Sequence, residues 1–239
     1  MDLKDKIIII TGASKGIGRA CALALAAKKA RLVLTARHEN TLREVAAEAR
    51  ALGAEVLPLV LDMRVEEDIQ TMIRETVQRF GGVDVLINNA GIGIFKPVAE
   101  TTTEDWDRMF RLNVRGVFIA TREALPFLRQ SREGFIVNVA SLAGKNPVPG
   151  GAGYAATKHA LLGFSKSLML EERKNGIRVL AICPGSVNTP FFDDHHHKMD
   201  EEKRKRILQA PDVASTIVQA LELPPNAMIS ELDIRPANP

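Results

Sequence analysis

Several features on which other protein classes depend are scarce in this 239-residue chain. Its two cysteines, Cys21 and Cys183, lie in apolar surroundings without a CxxC pair, which argues against a disulfide-rich secreted scaffold and a zinc-finger module. The first residues show no signal-peptide pattern, and no apolar run approaches the roughly 20 residues that a membrane span needs. We therefore expect a cytoplasmic protein without a membrane segment.

Charge of one sign is also scarce, because 32 Lys and Arg residues face 29 Asp and Glu residues and leave a formal net charge of +3. Such a balance provides no field that would attract nucleic acid or an anionic membrane surface. Three consecutive histidines, 195–197, follow Asp193 and Asp194, but consecutive histidines in a flexible segment rarely present fixed ligand geometry. We expect neither a metal ion nor a nucleic-acid partner.

What the chain does contain is a repeated alternation of short apolar runs with longer stretches whose apolar residues have helical spacing. This alternation predicts the α/β class: a Rossmann-like, doubly wound parallel sheet of about seven strands with helices on both faces, in three α/β/α layers. Residues 1–239 are expected to form one domain, in which 186–210 break the rhythm and form a lid over the substrate. The predicted strands are 6–11, 31–36, 55–61, 83–88, 134–140, 177–183 and 228–235; the predicted helices are 18–29, 39–52, 65–80, 103–129 (expected as two helices), 153–174 and 211–221.

A glycine-rich turn follows the first predicted strand and leads directly into a helix. Glycines at positions 12, 16 and 18 allow a sharp turn and let the backbone approach a pyrophosphate, whose charge is then bound by the first N–H groups of the helix. The spacing is G-x-x-x-G-x-G, not the usual G-x-G-x-x-G. The turn predicts dinucleotide binding, with contacts from Gly12, Ser14, Lys15, Gly16, Ile17 and Gly18.

The end of the second strand predicts which dinucleotide binds. An acidic residue there would hold the adenosine ribose of NAD, but the strand ends in Ala36-Arg37-His38. Arg37 can form a bidentate contact with a 2′-phosphate, and Lys15 adds a second cation. We therefore expect NADP(H). The alternative is that both cations are ordinary surface residues and that Glu39 turns inward to hold the ribose.

The chain has one tyrosine, Tyr154, and Lys158 follows it four residues later. On a helix this spacing places both side chains on one face, so that an ammonium lies beside a phenol. A nearby positive charge lowers the pKa of a phenol from about 10 and makes tyrosine usable as an acid or base. Taken alone, Y-x-x-x-K is a weak signal, since the same pair occurs by chance in many helices.

Other motifs strengthen the signal because they follow predicted strands in order. Ser141 ends one strand segment, and the carboxyl ends of parallel strands border the ligand crevice. Asn88-Asn89-Ala90-Gly91 ends another, Asn113 lies in the helical stretch that follows, and Pro184-Gly185 comes after the sixth strand with Thr189 just beyond. With these motifs the chain resembles the short-chain dehydrogenases/reductases over nearly all of its length.

The resemblance implies a role for each matching residue. Tyr154 would exchange a proton with a carbonyl or alcohol, Lys158 would lower the pKa of the tyrosine and hold the nicotinamide ribose, and Ser141 would stabilise the carbonyl oxygen. Asn113 would hold a water that links the lysine to solvent. Asn89, Ala90 and Gly91 would flank the cofactor, Asp62 would contact its adenine, and Pro184, Gly185 and Thr189 would contact its nicotinamide end. Ser141 and Thr189 could instead be cap or turn residues, and Asn113 a buried backbone partner.

The first functional hypothesis is an NADP(H)-dependent oxidoreductase acting on a small-molecule carbonyl or alcohol, with Phe95, Phe191 and Phe192 as apolar substrate contacts and no arginine clamp. An alternative is a 3-oxoacyl-[acyl-carrier-protein] reductase, although the chain lacks the Asp-Gly-Gly ending common in those enzymes. Arg122, Arg129 and Arg132 could meet an acidic carrier protein but are more simply helix-end arginines. A third hypothesis is a catalytically silent dinucleotide sensor. The resemblance also implies a homotetramer or dimer.

Overall fold

The computed structural model describes residues 1–192 and 200–237. Its centre is a seven-stranded sheet in which every neighbouring pair is parallel, in the order β3-β2-β1-β4-β5-β6-β9. This is the Rossmann-like arrangement that the alternating pattern predicts. The strands are β1 (Ile7–Thr11), β2 (Arg31–Ala36), β3 (Glu55–Val60), β4 (Val85–Asn88), β5 (Phe135–Val139), β6 (Arg178–Pro184) and β9 (Glu231–Ile234).

Helices cover both faces of the sheet, which explains why its inner strands are apolar at consecutive positions. α1, α2 and α8 pack on one face through residues such as Leu25, Val45 and Ile217, and α3, α5 and α6 pack on the other. The helices are α1 (Gly16–Ala27), α2 (Glu39–Ala51), α3 (Glu66–Phe80), α4 (Thr103–Phe110), α5 (Val117–Leu128), α6 (Ala152–Glu172) and α8 (Ala210–Glu222).

The stretch expected as two helices is instead continuous. α4 passes into α5 through a π-helical segment, Arg111–Gly116, and the backbone stays in the right-handed helical region across both junctions. The wider π turn inserts an extra residue without breaking the helix, and such insertions are frequent at functional sites. It places Asn113, which is buried, on the side of the helix that faces α6.

The segment between β6 and α8 is more ordered in its described parts than a plain exposed insertion. β7 (Val187–Asn188) pairs in parallel with β8 (Leu208–Gln209), and α7 (Glu201–Arg206) precedes β8. Arg204 donates a 3.0 Å hydrogen bond to the side-chain oxygen of Asn188, which ties α7 to β7. In residues 1–192 and 200–237, no helix is both long and apolar enough to cross a membrane.

Candidate active site

A cleft with a volume of about 1360 Å³ opens at the carboxyl ends of the strands. The strand order changes direction between β1 and β4, and such a switch point is where open α/β sheets bind ligands. Two predicted site residues, Gly18 and Asn113, lie behind the cleft surface. The others line the cleft: Gly12, Ser14, Lys15, Gly16, Ile17, Arg37, Asp62, Asn89, Ala90, Gly91, Ser141, Tyr154, Lys158, Pro184, Gly185 and Thr189.

The glycine-rich turn is shaped so that only glycine fits at two of its positions. Gly12 has a φ of +66°, a conformation that L side chains rarely adopt. A Cβ on Gly18 would lie 2.3 Å from the carbonyl oxygen of Gly12, closer than real side chains approach. Asn89 fixes the turn, because its amide nitrogen donates to the carbonyl oxygens of Thr11 and Gly12 at 2.8 and 3.0 Å.

The start of α1 is suited to an anion. It has no side-chain cap and no acidic residue in its first turn, so its first N–H groups and its positive dipole end are not neutralised by the chain's own carboxylates. The turn and the helix start together fit the pyrophosphate of a dinucleotide. Gly12 and Gly16 line the cleft at this point, with the exposed side chain of Lys15 beside them.

The adenosine end of the cleft has cationic side chains and one carboxylate that is already hydrogen-bonded within the chain. Arg37, after β2, is exposed and lines the cleft, whereas Glu39 pairs with Arg43 at 2.6 Å along the outside of α2. The carboxylate of Asp62 accepts a fork of hydrogen bonds from Arg64, at 3.0 Å from Nε and 2.5 Å from Nη2. These bonds hold the pKa of Asp62 below its usual range. The sequence did not point to Arg64, which holds the carboxylate of the predicted site residue Asp62 in place.

Ser141, Tyr154 and Lys158 converge in the cleft from β5 and α6. Ser141 follows the end of β5, and its Oγ accepts a 3.1 Å hydrogen bond from the Ala143 backbone, so it is also a helix cap. Its side chain also lies close enough to Tyr154 to lower the pKa of that phenol. Lys158 is buried, donates a 2.9 Å hydrogen bond to the Val139 carbonyl, and has its Nζ 5.7 Å from the centre of the Tyr154 ring.

The electrostatics of this pair differ from the expectation that the lysine lowers the tyrosine pKa. Burial raises the pKa of Tyr154 to about 12, and the nearby side chain of Ser141 only partly opposes that rise. Burial also lowers the pKa of Lys158 to about 8. Both shifts favour the neutral form of each group, because removal from water disfavours any charge. Desolvation therefore outweighs the attraction between ammonium and phenolate in this structure.

Asn113 sits behind the three residues and links them to the neighbouring loop. Its Oδ1 accepts from the Ile92 backbone nitrogen at 2.9 Å, and its Nδ2 donates to the Ile92 carbonyl at 2.8 Å. Nδ2 also donates to the Thr157 hydroxyl at 3.0 Å, and that hydroxyl donates to the carbonyl of Tyr154. Asn113 thus forms hydrogen bonds with buried backbone groups, which is the alternative role that the sequence suggested for it. It also anchors the helix that carries Tyr154.

The far end of the cleft is closed by the segment after β6. Gly185 donates a 2.9 Å hydrogen bond to Ile234, which holds the segment to β9. Thr189 is buried and packs over the glycine-rich turn, so that a Cβ on Gly16 would lie 3.2 Å from its methyl group. The predicted contacts of the pyrophosphate and of the nicotinamide end are therefore neighbours in space.

The substrate side of the cleft has an apolar cluster with charged residues around it. Tyr154 packs with Phe95 and Phe191, as the apolar candidates suggested; the side chain of Phe192 is outside the described set. Three arginines also line the cleft, although the sequence shows no arginine clamp for a carboxylate or phosphate: Arg108, Arg206 and Arg235. Helical spacing could have indicated one of them, since Asp105, Arg108 and Leu112 follow one another at i, i+3 and i+7 and share the cleft-facing side.

Other candidates from the sequence lie outside the described residues or do not line the cleft. Asp193, Asp194 and histidines 195–197 lie outside the described residues, and within the described ranges no group of three His, Cys, Asp or Glu side chains is arranged to hold a metal ion. Arg122 pairs with Glu66 and Glu123 at 2.7 and 2.6 Å, and Arg129 pairs with Glu172 at 2.5 Å. The chain itself thus neutralises two of the three arginines considered for a carrier protein.

Known protein sequences and structures include several that are similar to this chain. The sequence model described as short chain dehydrogenase matches residues 6–200. Levodione reductase from Leifsonia aquatica is 33% identical over 229 residues, which cover 89% of this chain and 86% of that protein.

Solved structures agree. A metagenomic short-chain oxidoreductase in complex with NADP is 32% identical with a TM-score of 0.86, and the match covers 99% of both chains. The 3-ketoacyl-(acyl-carrier-protein) reductase from Brucella melitensis, complexed with NADH, is 30% identical with a TM-score of 0.90 and 98% coverage of both chains. The chain is therefore similar to nicotinamide-dinucleotide proteins of both cofactor types.

Proposed function

This chain belongs to the short chain dehydrogenase family of oxidoreductases, and we propose that it is an NADP(H)-dependent enzyme acting on a carbonyl compound or the corresponding secondary alcohol. The observation that carries the proposal is the convergence of Ser141, Tyr154 and Lys158 in the same cleft as an anion-binding turn. A proton donor and a dinucleotide site in one cavity are the two parts that a carbonyl reductase needs.

The cleft fits a nicotinamide dinucleotide in both shape and charge. Gly12, Gly16 and the start of α1 would hold the pyrophosphate, and Asn89, Ala90 and Gly91 would flank the cofactor. Asp62 would contact its adenine, and Pro184, Gly185 and Thr189 its nicotinamide end. The preference for NADP(H) is supported by Arg37 and Lys15, whose exposed cations suit a 2′-phosphate, and by the pairing of Glu39 with Arg43. When bound, the nicotinamide supplies or accepts the hydride.

The residues of the chain would supply the proton and bind the oxygen. With a pKa near 12, Tyr154 is protonated at neutral pH and is ready to donate its hydroxyl proton to the substrate oxygen as the carbonyl is reduced. Ser141 would hold that oxygen and stabilise the charge that develops on it. Lys158 would bind the nicotinamide ribose and lower the cost of a phenolate on Tyr154. Asn113 would hold a water molecule that links Lys158 to solvent as a proton relay.

We propose further that residues 1–239 are one domain and that 186–210 form a lid over the substrate. Support comes from Glu202, Arg206 and Ile207, which line the same cleft as Ser141, Tyr154 and Lys158. We also propose a cytoplasmic location, which suits two cysteines that are both free and buried.

The proposal is tested by following the loss of NADPH across a panel of ketones, aldehydes, diketones and 3-oxoacyl thioesters, with NADH in parallel. NADPH-dependent turnover of a carbonyl supports it. NADPH binding without consumption of any member would favour the dinucleotide sensor instead. Turnover confined to 3-oxoacyl thioesters would favour the fatty-acid reductase, against which stand the internal pairing of Arg122 and Arg129 and the missing Asp-Gly-Gly ending.

A further inference from the structure

On the substrate side of the cleft, three aromatic rings of the described residues form a wall. The ring centre of Phe95 lies 5.3 Å from that of Tyr154 and 6.3 Å from that of Phe191, and the centres of Tyr154 and Phe191 are 5.7 Å apart. Their tilted and edge-to-face arrangements are those that aromatic pairs prefer. All three rings line the cleft, so they present one apolar surface to whatever occupies it. We call Phe95, Tyr154 and Phe191 the aromatic wall.

Two glycines leave the space that the rings of this wall occupy. A Cβ on Gly93 would lie 2.7 Å from ring carbons of both Phe95 and Phe191, and a Cβ on Gly151 would lie 3.0 Å from the Phe95 ring. Neither glycine has a positive φ, so their backbone conformations do not require glycine. Position 93 requires glycine because the two rings approach its backbone so closely. The arrangement of the aromatic wall therefore depends on this glycine.

The wall includes the residue that would donate the proton. Tyr154 belongs to it through its ring, and Ser141 lines the same cleft. A substrate whose carbonyl oxygen reaches the hydroxyls of Ser141 and Tyr154 would bring one of its two carbonyl substituents towards the wall. Ile92, Ala143 and Val148 extend the same apolar cluster. The charge of Lys96 nearby is balanced by Asp105 at 2.7 Å, so this pair adds no net charge beside the wall.

We infer that the substrate is a ketone or aldehyde that carries a flat ring next to its carbonyl, held by the aromatic wall. This rests on the proposed function and names the substrate class. A flat ring gains offset or edge-to-face contact with Phe95 and Phe191, whereas a linear chain of similar size gains only the burial of apolar area.

The test compares acetophenone with octan-2-one, which has the same number of carbons but no ring, and with butanone as a small reference ketone. Phe95→Leu and Phe191→Leu keep apolar volume and remove a ring, and Gly93→Ala displaces both rings. Phe80→Leu removes a phenyl ring at the end of α3, away from the cleft, and is the matched control.

We expect wild type to use acetophenone with a kcat/KM about tenfold higher than that for octan-2-one. Each wall variant should lose most of that preference, measured as the ratio of the two kcat/KM values, with butanone reporting any general loss of activity. Phe80→Leu should keep the preference.

A binding measurement makes the test independent of turnover. In Tyr154→Phe, saturation-transfer NMR should show acetophenone bound more tightly than octan-2-one, and adding Phe95→Leu should weaken acetophenone about fivefold to tenfold. Equal use of the two ketones by wild type, or equal losses for both in the wall variants, would overturn the inference and leave the proposed function standing. If wild type used none of the three ketones but turned over another carbonyl of the wider panel, this inference would fail and the proposed function would stand. Lack of turnover across the whole panel would overturn both.

Discussion

Lys158 donates a hydrogen bond to the carbonyl oxygen of Val139, with 2.9 Å between the two atoms, and so connects the helix of Tyr154 to the strand that leads into Ser141. The same burial that makes this bond possible lowers the pKa of the ammonium to about 8. The lysine is thus held where the proposed chemistry needs it, at a cost to the stability of the folded chain.

That cost predicts a pH-dependent effect of Lys158→Met. Below about pH 8, Lys158 is protonated in both the folded and the unfolded chain. The folded chain then carries the full cost of the buried charge, roughly 3 kcal/mol for a pKa lowered from 10.5 to about 8. Between pH 8 and 10.5 only the unfolded chain keeps the proton, so wild-type stability gains from rising pH. The variant removes the penalty but leaves the Val139 carbonyl without this donor, which costs about 1–3 kcal/mol.

We therefore expect Lys158→Met to be up to about 2 kcal/mol more stable than wild type at pH 7, and this advantage to shrink as the pH rises from 8 towards 10.5. Urea unfolding of both proteins across this range measures it. Cys183 and Tyr154, whose pKa values are raised, are present in both proteins, and the substitution also removes the interaction between Cys183 and Lys158. A difference between the two proteins that stays constant with pH would contradict the prediction.

Gly18→Ala should harm the cofactor turn even though alanine is the better helix former. The added Cβ would meet the Gly12 carbonyl at 2.3 Å and the Asn89 amide at 2.5 Å, which are the groups that shape the turn. We expect about 1–3 kcal/mol less stability and at least tenfold weaker NADPH binding. Gly82→Ala is the control, since nothing lies within 4 Å of its Cβ position and its φ is not positive. Similar losses in both variants would show that the close approach is not the cause.

Arg37→Gln should change the choice of cofactor. Loss of a charge-assisted contact with a 2′-phosphate should lower kcat/KM for NADPH by roughly tenfold to a hundredfold and leave that for NADH nearly unchanged. Lys15→Gln should act in the same direction. Arg74→Gln, which removes an exposed arginine of α3 outside the cleft, is the control. If NADH weakened as much as NADPH in Arg37→Gln, the proposed NADP(H) preference would be wrong.

We expect the chain to assemble as a dimer or tetramer through the outer faces of α5 and α6. Phe118 is 46% exposed on α5 and packs edge-on against Phe164 of α6, and Leu170 of α6 is 60% exposed. An exposed apolar patch that spans two neighbouring helices is suited to contact with another protein surface. Light scattering should give a mass of two or four chains, and Phe118→Glu should lower it. A mass of one chain for wild type across a wide concentration range would refute this prediction.

Much of the fold could be predicted because continuous apolar runs mark strands covered on both faces. β2 occupies 31–36, as predicted, and the other main-sheet strands differ by a few residues at their ends. The glycine turn and the Tyr154 and Lys158 pair could be predicted because their spacing alone determines which groups share a turn or a helix face.

What could not be predicted depends on contacts between distant parts of the chain. Asn113 is held by Ile92, 21 residues away, in a π turn that leaves no mark in the spacing of apolar residues. The pKa of Tyr154 rises because of burial, which a pair of residues four apart does not reveal. Likewise, the approach of Phe95 and Phe191 over Gly93 joins segments about 100 residues apart.

The most direct test of the account is Tyr154→Phe, assayed for both turnover and cofactor binding. The variant keeps the ring and removes the hydroxyl that would donate the proton, so carbonyl reduction should fall by about a hundredfold to ten-thousandfold. NADPH affinity, followed by energy transfer from Trp106, the one tryptophan of the chain, should stay within about twofold of wild type. Most of the wild-type turnover surviving in Tyr154→Phe would contradict the proposed chemistry.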